Sequence, residues 1–148
     1  DGDGVRVGAH AVVAVGGTFD HLHAGHKVLL SASALCARER LVVGVSDGSL
    51  LANKRHAAAL QPYDARCAAV RRFVRRTRAD AHLVVQCVRL LDPFGPTVTD
   101  ADIEALVVSA ETAGGVAAIN ARRAELHMRA LAPLVVPLIG GDDAASKL

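Results

Sequence analysis

A chain of 148 residues holds one domain that buries about two thirds of the surface its unfolded form exposes, with no room for a second catalytic domain. Hydrophobic residues make up 51% and aromatics only 3%, so the core has to be built from Val, Leu, Ile and Ala, as helices packed closely on a parallel sheet prefer. The formal charge of +2, from 17 basic and 15 acidic residues, excludes a broad footprint for nucleic acid or an anionic membrane, so any affinity for phosphate must be local.

Residues 11–15 form an unbroken apolar run ending at Gly16-Gly17, the pattern of a central strand buried on both faces and followed by a tight turn. Residues 24–38 carry a helical stripe at Val28, Leu29, Ala32, Leu35 and Cys36, and residues 41–45 return to a buried strand. Pro62 opens a second helix with Cys67, Val70, Phe73 and Val74 on one face, before a third strand over residues 83–88. A fourth strand is expected over 106–108, a helix over 116–130, and a fifth strand over 134–139, between Pro133 and Gly140-Gly141. Five strands alternating with helices predict an α/β fold, a Rossmann-like doubly wound five-stranded parallel sheet spanning residues 1–148 as a single domain. Ligands of such sheets bind beyond the carboxyl ends of the strands, where the strand order reverses. The polar clusters at 16–26, 47–55, 92–100 and 109–112 fall there.

The segment from Gly16 to His26 reads G-G-T-F-D-H-L-H-A-G-H and joins the first strand to the first helix. Gly16 and Gly17 let backbone amides approach a phosphate, Thr18 adds a hydroxyl, and the helix that follows aims its positive end at the same place. His23 and His26 are three residues apart and share a helix face, so both can donate to one anion. Neither the Walker loop nor G-x-G-x-x-G is present. A zinc site at His21, His23 and His26 is one rival reading, although no cysteine or second carboxylate cluster supplies further ligands; histidines that merely cap the helix are the other, which explains one of them but not the whole pattern.

This segment resembles the signature of the nucleotidyltransferase superfamily that carries the H-x-G-H motif. The resemblance implies that Thr18, His23 and His26 are catalytic, that Gly16, Gly17, Thr18, Phe19 and His26 bind ATP, and that the α-phosphate is attacked in line while pyrophosphate leaves. Further motifs follow the later strands: Asn53-Lys54-Arg55, then D-P-F-G-P-T from Asp92, V-V-S-A-E-T from Val107, and Asn120-Ala121-Arg122-Arg123. Together they resemble the eukaryotic and archaeal type of phosphopantetheine adenylyltransferase, including that domain of the bifunctional coenzyme A synthase, from about residue 12 to residue 139.

The implied reaction is adenylyl transfer from ATP to 4'-phosphopantetheine, giving dephospho-coenzyme A and pyrophosphate, with Mg²⁺ arriving on the nucleotide. Coenzyme A and dephospho-coenzyme A are the product-like ligands, and a dephospho-coenzyme A kinase, fused or associated, is an expected partner. Lys54 would shield charge between the two phosphates, its alternative being a solvated loop lysine. Ser109, Glu111 and Thr112 join the ATP set, with a helix N-cap as the alternative for Ser109. Asp20, Lys54, Asn120 and Arg123 form the expected acceptor set, and Pro93 and Pro96 either wall the pantetheine arm or merely end a strand. Arg66 is a weaker site candidate, and Arg71, Arg72, Arg75, Arg76 and Arg78 read as a solvated helix face.

Cys36, Cys67 and Cys87 are widely spaced and odd in number, which suits a reducing, cytoplasmic setting better than a disulfide framework. No apolar run approaches the roughly 20 residues of a membrane span, and no secretory leader is evident. The terminal Ser146-Lys147-Leu148 reads as the start of the family's second signature, K-[IL]-S-S-[ST]-x-x-R, cut short, in preference to a peroxisomal signal.

Overall fold

The computed structural model describes residues 6–51, 59–79 and 82–137. Five strands form one parallel sheet: β1 (His10–Gly17), β2 (Ala37–Ser46), β3 (Val84–Leu90), β4 (Ala105–Ser109) and β5 (Ala132–Val136). Their spatial order is β3-β2-β1-β4-β5. The chain winds outward from β1 through β2 to β3, then crosses back to β4 and β5, so the order reverses between β1 and β4. The doubly wound parallel sheet expected from the apolar runs is present.

Successive residues of a strand face opposite sides of a sheet, and two cores result. On one side Val13, Val15, Leu41 and Val43 pack with Leu30 of helix α1 (Ala24–Cys36) and with Val70 and Val74 of helix α2 (Tyr63–Thr77). On the other, Val12, Ala14, Val42, Leu106 and Val108 pack with Val116 and Ile119 of helix α3 (Gly115–Glu125). The crossover from β3 to β4 carries only a short 3₁₀ turn, Gly95–Val98. This second face is therefore roofed near β1 and β2 by a loop rather than a full helix.

Element ends differ from the sequence expectation for local reasons. Helix α1 stops at Cys36 rather than residue 38, because β2 begins at once at Ala37. Arg78 donates to the carbonyls of Ala34 (2.6 Å) and Ala37 (2.8 Å) at that junction. It is a tie between α2 and α1 and leaves the solvated set, whereas Arg71, Arg72, Arg75 and Arg76 are exposed. Helix α3 ends at Glu125 rather than residue 130. His127 adopts a left-handed φ of 61°, and the Met128 N–H returns to the Arg123 carbonyl at 2.8 Å, the closure that usually recruits glycine. Strand β5 starts at Ala132 and includes Pro133; an edge strand tolerates the missing N–H. The expected end of that strand at Ile139 lies outside the described residues.

No helix among the described residues is long and apolar enough to cross a membrane. The three cysteines are free thiols, two of them buried. Burial, reinforced by the neighbouring Cys67, pushes the Cys87 thiol up to about 12, so it stays protonated and unreactive at neutral pH.

Candidate active site

At the carboxyl ends of β1 and β4 a cavity of about 520 Å³ opens between the sheet, the 3₁₀ turn and α3. Its floor is Ala14, Gly16, Val42 and Gly44, and its walls include Leu90, Pro93, Phe94, Pro96, Val116 and Ile119. Gly17, Ser109 and Thr112 supply polar edges. Gly44 leaves room for Leu90, whose side chain would lie 2.7 Å from any added Cβ. The lining is overwhelmingly apolar, so the cavity suits an uncharged arm or a base, with charge held at its rim.

Gly16 and Gly17 of that lining lead into the turn between β1 and α1. His23 is the N-cap of α1: its Nδ1 accepts from the Gly25 N–H at 3.1 Å, while His26 Nδ1 accepts from the His23 N–H at 3.3 Å. The two imidazoles thus form a capping box, a task usually given to Ser or Thr with Glu or Gln. With both Nδ1 atoms accepting, each neutral ring carries its proton on Nε2 and presents an N–H donor there. The rings stack with centroids 3.7 Å apart and planes 24° from parallel. Burial first, then repulsion from His23, push His26 down to about 4, against an opposing pull from Asp20. At neutral pH it is an uncharged donor. The first turn of α1 contains no acidic residue, so its positive end is available to an anion.

Phe19 and His21 both sit in the left-handed region, at φ 52° and 46°, a conformation that costs an L-residue roughly 1–2 kcal/mol. Phe19 is fully buried in the α1–α2 core and tilts against His26 at 5.5 Å between centroids. Its ring lies 3.3 Å from where a Cβ on Gly17 would stand, which accounts for the second glycine. The Phe19 side chain therefore anchors the turn.

A clasp holds the turn from behind. Arg66, 1% exposed, donates from Nε to the Gln61 carbonyl (2.9 Å) and from its terminal nitrogen to the carbonyls of Thr18 (3.0 Å) and Ser46 (2.7 Å). Gln61 then grips the turn twice: its N–H donates to Asp20 Oδ1 (2.8 Å), and its side-chain oxygen accepts from the His21 N–H (2.9 Å). Asp47 lies 3.8 Å from Arg66 and 2.8 Å from Arg89, and Arg89 covers the Tyr63 ring at 4.2 Å. Sequence reasoning passed over Gln61 and ranked Arg66 low. The signal was present in the spacing, since Arg66, Val70 and Val74 recur every four residues and place a charge on the apolar stripe of α2.

The remaining candidates divide. Ser109 is buried and shares a hydroxyl contact of 3.1 Å with Thr112, whose Oγ1 also accepts from the Ser109 N–H at 3.1 Å. It caps no helix, because the N-cap of α3 is Gly114. Glu111 is exposed on the same turn. Both prolines of the D-P-F-G-P-T loop line the cavity, and Asp92 Oδ1 ties the loop by accepting from the N–H groups of Phe94 and Gly95 at 2.9 Å each.

Asn120 and Arg123, expected to contact the acceptor together, are occupied otherwise. The Asn120 amide exchanges two hydrogen bonds with the Leu131 backbone, at 2.7 and 3.2 Å. Arg123 is fully buried and donates to the carbonyls of Arg129, Thr97, Asp100 and Ile103. A buried guanidinium needs such partners, and here they fasten the end of α3 to the crossover loop. Asp20 is half-committed through Gln61. Lys54 lies outside the described residues. Among the described residues no three His, Cys, Asp or Glu gather to hold a metal ion.

The chain is similar over most of its length to several known proteins. The family model described as cytidylyltransferase-like matches residues 14–142. A phosphopantetheine adenylyltransferase of Saccharomyces cerevisiae is 45% identical over 130 residues, covering 88% of this chain and 42% of the relative. The chain thus spans less than half the length of that yeast protein. A phosphopantetheine adenylyltransferase of Methanothermobacter thermautotrophicus is 37% identical over 134 residues, covering 90% of this chain and 77% of the relative. A solved structure from Archaeoglobus fulgidus, described as a protein with unknown function, superposes with a TM-score of 0.67 at 36% identity, over 84% of this chain and 87% of that one. The capped histidine pair, the two glycines and the switch-point cavity are thus held on a scaffold these relatives share, and the chain belongs to the cytidylyltransferase-like family, among its phosphopantetheine adenylyltransferases of eukaryotic and archaeal type.

Proposed function

We propose that the chain transfers the adenylyl group of ATP to 4'-phosphopantetheine, giving dephospho-coenzyme A and pyrophosphate. The observation that carries this reading is a stacked, backbone-oriented pair of imidazoles at the N-terminus of α1, in the turn whose first residues, Gly16 and Gly17, line a large apolar cavity. A phosphate-bearing acceptor with a long uncharged arm matches both parts, with its arm along Leu90, Pro93, Phe94 and Ile119 and its phosphate at the turn. The names of the yeast and archaeal relatives agree with it.

In the proposed step an oxygen of the acceptor phosphate forms a bond to the α-phosphorus, and the bond from that phosphorus to the bridging oxygen of pyrophosphate breaks. The attacking oxygen is already an anion at neutral pH, so no general base is required, and alignment and charge stabilisation carry the catalysis. Nε2–H of His23 and His26, the turn amides and the Thr18 hydroxyl are the donors for the phosphate oxygens. One such donor is worth about 2.7–4 kcal/mol in the transition state. Ser109, Glu111 and Thr112 edge the nucleotide side, and Lys54 shields the approach of the two phosphates. Mg²⁺ would enter on the nucleotide and shield its phosphate charge. A dephospho-coenzyme A kinase, fused or associated, would consume the product, and the free thiols suit the expected cytoplasmic setting.

The test is pyrophosphate release by the purified protein given ATP, Mg²⁺ and 4'-phosphopantetheine, with the nucleotide product identified by mass. Dephospho-coenzyme A formed in step with pyrophosphate is the expected result. Release with a different phosphate ester alone moves the acceptor assignment, and ATP binding without any turnover leaves a nucleotide-binding module.

A further inference from the structure

We propose that Arg66 is a positioning residue that aims the Phe19 backbone N–H at the transferring phosphate. The proposal rests on the adenylyl-transfer reading and identifies the side chain that sets its backbone donor. A trans peptide is planar, so the carbonyl of one residue and the N–H of the next point in opposite directions. Arg66 donates to the Thr18 carbonyl from the α2 side of the turn, and the Phe19 N–H of that same peptide must then point away from α2.

The neighbouring peptide provides an internal control. Arg66 holds the Ser46 carbonyl in the same way, at 2.7 Å, and the Asp47 N–H is thereby directed onto the Leu90 carbonyl at 2.9 Å. In the Ser46–Asp47 peptide the aimed N–H has a protein acceptor. In the Thr18–Phe19 peptide, among the described residues, it has none, although Phe19 itself is fully buried. A buried amide left without an acceptor is costly, and one in the turn that leads into the histidine-capped N-terminus of α1 is suited to an anion that arrives only with the ligand.

The clasp also fixes the conformation this aim requires. Phe19 and His21 are both left-handed, and Gln61, itself held through its carbonyl by Arg66, secures the residues that follow Phe19 through Asp20 and His21. Relaxing either residue toward ordinary backbone would swing the Phe19 N–H off the phosphate. Such a loss weakens the transition state more than the ground state, because the donor contributes most where charge develops. It therefore appears in kcat rather than in KM.

The experiment compares wild type, Arg66→Lys and Gln61→Ala in steady-state pyrophosphate release, with unfolding midpoints and the ¹H–¹⁵N shift of the Phe19 amide recorded with and without ATP. Gln61 is half-buried, so its truncation spares the fold if Arg66→Lys does not. The expected result is kcat lowered about tenfold or more in Arg66→Lys and about fivefold in Gln61→Ala, with KM for ATP within threefold. The Phe19 amide shift on ATP addition should be large in wild type and reduced in both variants. Folded variants that keep kcat within twofold of wild type, or a wild-type Phe19 amide that ATP does not move, overturn the proposal. A wild-type protein with no activity on any acceptor, whose Phe19 amide still responds to ATP, counts against the adenylyl-transfer reading and leaves the aiming role standing.

Discussion

His26 combines two demands that oppose each other: a place among donors for an anion, and burial that discourages charge. Its downward shift to about 4 has a stability consequence of definite sign. Between about 6.5, the ordinary value, and about 4, the unfolded chain binds a proton that the folded chain does not, so stability falls as pH drops through that window. We predict that the unfolding midpoint declines over this range and that His26→Gln, which has no ring to titrate, flattens the decline; equal slopes in the two proteins would contradict it. In the adenylyl-transfer reading the same substitution removes an oriented donor and should lower kcat by about 10²–10³. Activity of wild type should not be lost through protonation of His26 on acidification to near pH 5, since that ring stays neutral until the pH approaches about 4.

The elements themselves were legible where sequence periodicity was strong, and their ends were not. All five strands fall at the apolar runs; for the three central ones, β1, β2 and β4, burial on both faces of a parallel sheet demands such runs. Helix α3 ran short because its stop signal is His127, an unusual residue in a left-handed position where glycine would have announced the turn. Substituting glycine there removes the steric cost and should stabilise the protein by about 1 kcal/mol, measurable by denaturant titration; a loss of stability would show that the His127 side chain contributes more than its backbone costs. The site divides along the same line. The G-G-T-F-D-H-L-H-A-G-H turn was readable because its residue types are consecutive, whereas the clasp joins Thr18 to Arg66 and Asp20 to Gln61 across gaps of 48 and 41 residues. Asn120 and Arg123 were less legible for the converse reason: helical spacing shows that two side chains share a face but not that both are bonded to backbone groups.

At the scale of the whole molecule the β1–β4 switch point is where the architecture leaves its second face thinly roofed, and ligand binding there should act on global stability. A ligand that binds only the folded state adds about 2.7 kcal/mol at a hundred times its Kd. For a chain of this size each kcal/mol moves the unfolding midpoint by roughly 2–4 °C, so saturating ATP with Mg²⁺ should raise it by roughly 5–10 °C. A separate increment from 4'-phosphopantetheine would reflect burial of its apolar arm, at about 25 cal/mol for each Å² removed from water. The two contributions can be separated at Ala118, an exposed residue of α3 on the cavity wall. Ala118→Trp should leave the unliganded midpoint within about 2 °C, since it alters no packed contact of the core. It should preserve most of the increment from ATP and abolish most of that from 4'-phosphopantetheine. If the nucleotide increment is the one lost, the base occupies the apolar cavity and the arm lies elsewhere; if neither changes, the space between β1, β4 and α3 is not where either ligand is held.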